Sequence, residues 1–268
     1  MKPLAVTITE REHAELLPVE APAALADDQV RGRTLASLIS PGTELAWNYQ
    51  GQGATFPSTP GYSAVFEVDE TGCAVTGLEP GTHAFCMGGH RSVQQCAAAD
   101  VLRVPQGLTP EKAVLARLMG VSMTTLMTTR ARPGDTVLVT GAGPVGYLCA
   151  HLFRLSGYEV YVVEPNERRR RDVRYSGIGR VFGSVEGADG LTGNVALVVD
   201  CSGHEQAVLD GARVVRRGGE VVLVGVPWKR HTVLTAHELL DVVFHRYVVL
   251  RSGWEWELPR ESAHHAPH

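Results

Sequence analysis

Thr136-Val137-Leu138-Val139-Thr140-Gly141-Ala142-Gly143-Pro144-Val145-Gly146 is the stretch that decides the fold. Its first five residues form an apolar, β-branched run, the composition of a strand covered on both faces. Its last six carry G-x-G-x-x-G spacing, and a helix is expected over 144–156. Each glycine then has a physical reason. Gly141 permits the sharp turn, Gly143 lets the backbone approach a pyrophosphate, and Gly146 lets helix and sheet pack closely. Pro144 and Val145 open the helix, whose N-terminus presents free N–H groups and a positive dipole end to phosphates. Glu164 follows about twenty residues on, at the end of the next strand, where a carboxylate accepts hydrogen bonds from both adenosine ribose hydroxyls. A carboxylate there repels a 2′-phosphate, so NAD is expected over NADP. The other reading of the glycines is a tight structural turn with no ligand; strand, helix and acid in register weigh against it.

Strands and helices keep alternating outward from this loop. Further strands are expected over 159–163, 180–182, 196–200, 220–224 and 247–250, with helices over 166–175, 205–215 and 237–244. Six strands in such alternation form a doubly wound α/β sheet, the Rossmann arrangement. Gly218-Gly219 is expected to turn the chain out of a helix and into the fifth strand. Cys201, at the end of the fourth strand, and Gly225 and Val226, at the end of the fifth, fall on the carboxyl edge where ligands bind. The second of these segments is expected to line a nicotinamide pocket. The run Arg168–Arg171 bears on the cofactor, because one arginine beside the ribose would suit a 2′-phosphate. Four in succession point about 100° apart around a helix, so most are solvated. Arg168 is placed against the adenine, and NAD remains the expectation.

Before residue 125 the chain has a different character. Short apolar stretches at 34–39, 64–68, 83–86, 93–97 and 101–104 alternate with Gly and Pro, and the first strand opens at the N-terminus. This is the pattern of a compact β-rich domain, barrel or sandwich. A helix is expected from Thr109-Pro110-Glu111 toward Leu126. The resulting organisation is 1–125, 126–258 and a loose tail over 259–268. The chain of 268 residues is 44% hydrophobic and carries 25 basic against 29 acidic residues, net −4. This charge gives no nucleic-acid footprint, and no apolar run reaches the ~18 residues of a membrane span. Five cysteines without a C-x-x-C pair read as reduced thiols in the cytoplasm and argue against a cysteine-built zinc lobe.

The glycine loop resembles the cofactor loop of medium-chain dehydrogenase/reductases, the alcohol dehydrogenase superfamily. Pro105-Gln106-Gly107-Leu108-Thr109-Pro110-Glu111-Lys112-Ala113 is similar to the passage leading into that domain in the family. The resemblance runs from about Thr34 to Trp256. It implies a GroES-like β domain, then the Rossmann domain, with the active site in the cleft between them. Ile39-Ser40-Pro41-Gly42-Thr43-Glu44, Pro60-Gly61-Tyr62-Ser63, Ala113-Val114-Leu115-Ala116 and Gly253-Trp254-Glu255-Trp256 resemble a branch typified by bacteriochlorophyllide dehydrogenase. That branch includes secondary-metabolism oxidoreductases acting on hydroxyl and keto groups. In the family the chain continues for several dozen residues past the sixth strand. Here it stops soon after Trp256, either naturally or because the sequence is a portion of a longer one.

Position by position, the resemblance also tests zinc. Pro41 stands at the family's cysteine ligand, Tyr62 at its histidine, and Arg117 near its third, acidic or cysteine, ligand. A catalytic zinc needs three Cys, His or Asp/Glu donors, so none is expected. Thr43 matches the hydroxyl residue that contacts the substrate oxygen in the family, while Ala46 replaces the relay histidine. Tyr62 is either a general acid–base whose phenol reaches the same oxygen or an aromatic plug in the vacated metal site. Glu44 is expected in an internal ion pair. His90 is read as a packed or surface histidine in a strand leading away from the cleft. Trp254 and Trp256 are either core or cover for the cleft. The expected activity is a zinc-independent, NAD(H)-dependent interconversion of a small secondary alcohol and ketone by a homodimer. A nucleotide-binding pseudo-enzyme or assembly protein is the alternative, and an NADPH-dependent enoyl or quinone reductase a weaker one.

Overall fold

The computed structural model describes residues 2–50 and 55–254; Met1, Trp256 and the expected tail over 259–268 lie outside the described residues. The chain divides into two compact units at Arg117/Leu118. That is earlier than the change of character at 125, because the second unit takes nearly all of the helix Ala116–Thr128.

In the first unit, β1 (Leu4–Glu10) and β2 (His13–Pro18) form an antiparallel hairpin. The sequence signal for β2 is weak because its side chains are mostly exposed. The strands β3 (Gln29–Ser37), β4 (Ala64–Thr71), β5 (His83–Cys86), β6 (Val93–Ala97) and β7 (Leu102–Arg103) make a five-stranded antiparallel sheet in the order β6-β3-β4-β5-β7. Period-two alternation decides which residues go where. Ala64, Phe66 and Val68 enter a core with Val30, Ala84 and Val101, whereas Val65 packs on the other face with Val104, Ala113 and Val114. A short helix, α1 (Pro41–Thr43), runs directly into a π-type turn at Glu44–Tyr49.

The expected helix from Thr109 to Leu126 is broken into α2 (Pro110–Ala113) and α3 (Ala116–Thr128). At the break the Val114 carbonyl accepts from the Ser63 hydroxyl at 2.9 Å and from the Arg117 amide at 3.4 Å.

The second unit is an all-parallel six-stranded sheet in the order β10-β9-β8-β11-β12-β13. Its strands are β8 (Thr136–Thr140), β9 (Glu159–Val163), β10 (Val181–Phe182), β11 (Val195–Asp200), β12 (Val215–Leu223) and β13 (Val249–Ser252). The helices are α4 (Pro144–Leu155), α5 (Glu167–Tyr175), α6 (Glu205–Val214) and α7 (Ala236–Arg246). Strand order reverses between β8 and β11, the switch point where doubly wound sheets bind ligands. Both faces are covered. Val137, Val139, Val199 and Val222 pack with Phe153 and Cys149 of α4 and Val173 of α5. Leu138, Val198 and Val221 pack with Val208 and Ala212 of α6.

One detail differs from expectation. Gly218 and Gly219 do not precede the fifth strand but lie inside β12, which starts directly after α6. They form a bulge: Val195 pairs with Val215, yet Leu197 pairs with Glu220, and Gly218 takes φ +74°. Trp254 is exposed and therefore not core. No helix among the described residues is long and apolar enough to cross a membrane.

Glu220 ties the end of α3 to this sheet. Its buried carboxylate accepts from Thr129 Oγ1 at 2.8 Å and from the Arg130 amide at 2.9 Å, with Arg251 Nη2 at 3.5 Å. Replacing Glu220 with Ala strips a buried charged network of its acceptor and is expected to cost about 3 kcal/mol. Urea denaturation of the two proteins measures this directly.

Candidate functional site

The candidate site of the second unit lies at the switch point. Gly141 has φ +85°, a conformation that only glycine adopts without strain. A Cβ on Gly146 would lie 1.9 Å from the Gly141 carbonyl oxygen, so no side chain fits there. Gly143, the N-cap of α4, faces open space. Pro144 occupies the first turn and no side chain caps the helix, so its leading amides remain available to an anion. Val145 follows in the same turn.

Glu164 is buried at the end of β9, and both of its oxygens grip backbone. Oε2 accepts from the Ala142 amide at 2.7 Å and Oε1 from the Asn166 amide at 2.8 Å. The sequence assigns this carboxylate to a ribose; the structure shows it fastening the glycine loop. Each carboxylate oxygen retains a second acceptor position. Arg169 Nη1 stands 3.6 Å from Oε2, and Arg170 Nη1 donates to the carbonyls of Glu164 and Pro165. Arg168, expected against the adenine, is exposed, and Arg170 is the arginine that reaches back to the turn.

Asp200, the last residue of β11 beside Cys201, holds contacts that the sequence does not reveal. It is completely buried, and its carboxylate accepts from Thr140 Oγ1 at 2.7 Å, Ser202 Oγ at 2.6 Å and the Gly203 amide at 3.0 Å. The available signal is a polar residue ending each of two apolar strands, Thr140 and Asp200, which prove to be register partners. Cys201 is half-buried beneath the loop; the hydrogen bond with the Cys149 thiol, and then burial, push its own thiol up, which keeps it protonated. Gly225 donates to the Asp200 carbonyl at 2.6 Å, and a Cβ on it would strike the Gly203 amide. Val226 beside it is half exposed. A cavity of about 450 Å³ opens between α6 and α7, with Gly225, Leu209, Leu223 and Leu239 in its wall.

In the first unit, Thr43 and Tyr62 are each half-buried, and among the described residues no hydrogen bond joins them. Tyr62 instead lies under Arg117, whose guanidinium carbon is 4.8 Å from the ring centroid. Two positions separated by more than fifty residues in sequence therefore meet. Glu44 is buried, as expected of an internal ion pair, and its partner is His90 at 2.8 Å. The strand expected at His90 is absent: the residue sits in the loop between β5 and β6, where its ring is bonded on both nitrogens.

Residues 144–254 match the family model described as zinc-binding dehydrogenase. L-threonine 3-dehydrogenase of Pyrococcus furiosus is 30% identical over 270 residues, covering 84% of this chain and 76% of that one. The chain belongs to the medium-chain dehydrogenase/reductase superfamily. The GroES-like and Rossmann units of that superfamily are the two units described above. Galactitol-1-phosphate dehydrogenase of Escherichia coli shares the fold with a TM-score of 0.81 at 16% identity, over 95% of this chain and 86% of that one. A Sinorhizobium meliloti protein described as a zinc-binding dehydrogenase and solved with NADP gives 0.80 at 19% identity, over 95% and 84%.

Within this superfamily fold the loop geometry makes a sharp demand on one residue. Gly146→Ala forces α4 away from Gly141 and is expected to cost about 3 kcal/mol or more, the scale of severe overpacking. The fall in thermal midpoint should be accompanied by loss of dinucleotide binding, read by quenching of intrinsic fluorescence.

Proposed function

We propose that this chain is a zinc-independent, NAD(H)-dependent oxidoreductase that interconverts a small secondary alcohol and its ketone. The observation that carries the reading is the Tyr62–Arg117 pair. By the family resemblance, Tyr62 stands at a metal-binding histidine and Arg117 near a third metal ligand. Here a phenol and a cation pack against each other, and Pro41 has no donor side chain. Glu44 and His90 are potential donors, but they bond each other, and among the described residues no group of three His, Cys, Asp or Glu could hold a metal. This donor set does not fit zinc.

The residues of the second unit do fit a nicotinamide dinucleotide: an uncapped helix N-terminus, open space at Gly143, and a carboxylate holding the loop. When bound, that cofactor accepts or delivers the hydride. The chain's residues supply the remainder. A fixed cation beside the phenol stabilises negative charge on an alcohol oxygen, as a preorganised electrostatic site does. The hydroxyls of Tyr62 and Thr43 exchange the substrate proton. Glu164 disfavours a 2′-phosphate, although Arg169 beside it and exposed Arg168 partly offset that charge. Five free cysteines suit a reducing cytoplasm, and a homodimer completes the proposal.

Three measurements test this reading. Metal analysis of the purified protein should find well below one zinc per chain; one tightly held zinc overturns the metal-free mechanism. NAD(H) should bind more tightly than NADP(H), and Glu164→Ala should narrow or reverse the preference, since removing a like-charge clash is worth a few kcal/mol, roughly. Equal affinities in the unmodified protein would assign the pocket to the arginines. Tyr62→Phe keeps the ring under Arg117 and should lower kcat by ~10²–10⁴ on a responsive secondary alcohol, with NAD affinity unchanged. Full turnover would make Tyr62 a plug.

A further inference from the structure

The cavity of about 450 Å³ between α6 and α7 lies wholly within the second unit, on the sheet face opposite α4 and α5. Its deep wall is apolar: Val208 and Leu209 of α6, Leu223 of β12, Leu250 of β13 and Leu239 of α7. Leu234, on the segment that runs from β12 to α7, adds to the same lining. Protein interiors are close-packed, so an empty hollow among leucines forfeits contacts that a ligand would restore. Small-molecule sites span ~300–1,000 Å³ and pair an apolar lining with a few convergent polar groups. This cavity has both.

The polar groups gather where α6 begins. His204 is its N-cap, and the His231 ring stacks on it with centroids 4.9 Å apart and planes at 19°. This stack, with the bond from the His231 amide to Glu205, brings neighbouring Arg230 to the same wall. The acids here are already engaged. Both Glu205 oxygens accept from the His231 amide, at 3.1 and 3.2 Å. Glu238 accepts from the Thr235 amide at 2.8 Å, and Asp200 is filled by Thr140, Ser202 and Gly203. The donors are not. His204 Nδ1 accepts from the Gln206 amide at 3.2 Å, so the neutral ring carries its hydrogen on Nε2. Arg230 donates only through Nε, to the Thr232 carbonyl at 2.7 Å. Among the described residues neither His204 Nε2 nor the two terminal nitrogens of Arg230 have a hydrogen-bond partner. The positive dipole end of α6 adds to this surplus of donors.

We propose that this cavity is a binding site for a small apolar carboxylate, separate from the dinucleotide site. The hydrocarbon tail fills the leucine-lined hollow, and the carboxylate is received by the Arg230 guanidinium and the His204 Nε2–H. Two parallel N–H groups of a guanidinium match the two oxygens of a carboxylate, which sets this head group apart from a neutral one. The segment 226–235 serves as a strap, with Leu234 against the tail and Arg230 at the head. It leaves the sheet at Gly225, whose amide is held by the Asp200 carbonyl at 2.6 Å.

The test is calorimetric titration of the full chain with octanoate, 1-octanol and acetate, with and without NAD. Octanoate should bind one per chain and raise the melting temperature, as a ligand of the folded state does. The alcohol, with the same tail and no charge, should bind ~10-fold more weakly or worse, and acetate not at all. Arg230→Ala, a change at an exposed position, should weaken octanoate ~10-fold and leave 1-octanol unaffected. Leu239→Trp fills the hollow and should abolish binding of both, with circular dichroism reporting whether it folds; if it does not, Arg230→Ala decides. Absence of octanoate binding overturns the proposal. So does equal affinity for octanoate and 1-octanol, or octanoate affinity unchanged in Arg230→Ala. Displacement of octanoate by NAD overturns it as well, since it would place the ligand in the dinucleotide site.

Discussion

The carboxylate of Asp200, sealed from water at the switch point of the sheet, is the constraint around which the second unit is arranged. A buried charge is tolerated only when its lone pairs are filled by hydrogen bonds. Asp200 fills them with groups from three places: Thr140 at the end of β8, Ser202 in the turn after β11, and the Gly203 amide before α6. Its own carbonyl takes the amides of Val224 and Gly225 at the end of β12. The carboxyl ends of three adjacent strands are thereby set at fixed spacing. Only on such an edge can the glycine loop after β8 and the Gly225 turn after β12 hold still relative to each other. Glu164 acts in the same way at the neighbouring strand, joining the end of β9 to the loop through the Ala142 amide. Both acids use charge to fix backbone before any ligand arrives, which is the preorganisation that binding and catalysis require.

Much of this unit is legible in the sequence because the pattern there is redundant. Apolar runs, helix caps and the glycine spacing all point to the same alternation, and strand 136–140 is readable to the residue. What escapes is set by side chains acting at long range. The hydroxyl that meets the break at Val114 comes from 51 positions away, and the strand containing Gly218 depends on pairing with β11 and β13 that overrides a local turn signal. The hairpin strand β2 is hidden because exposed strands leave no apolar period to detect.

In the first unit the individual residues are legible, but their partners are not. Tyr62 and Arg117 stand out separately, as replacements at metal positions; nothing in the spacing says that one stacks on the other. His90 reads as a packed or surface histidine, and the structure packs it. The sequence does not reveal that both ring nitrogens are engaged, one by a buried acid and one by a hydroxyl at the surface. Pairwise chemistry of this kind emerges only when β3, the helical turn after α1 and the β5–β6 loop are brought together.

The three loop glycines are not equivalent, although the motif writes them alike. Gly146 is compelled by the protein itself: helix and strand leave no room for a methyl group whether or not anything is bound. Gly141 is compelled by its backbone angle. Gly143 is compelled by neither, since its φ is −64° and a methyl group would meet nothing. No described residue requires glycine at that position, whereas a pyrophosphate approaching the backbone there would. A chain of this fold that had abandoned its dinucleotide would be free to change Gly143 first, while Gly141 and Gly146 endured as masonry, and the residue at the middle position thus distinguishes a working loop from a relic of one.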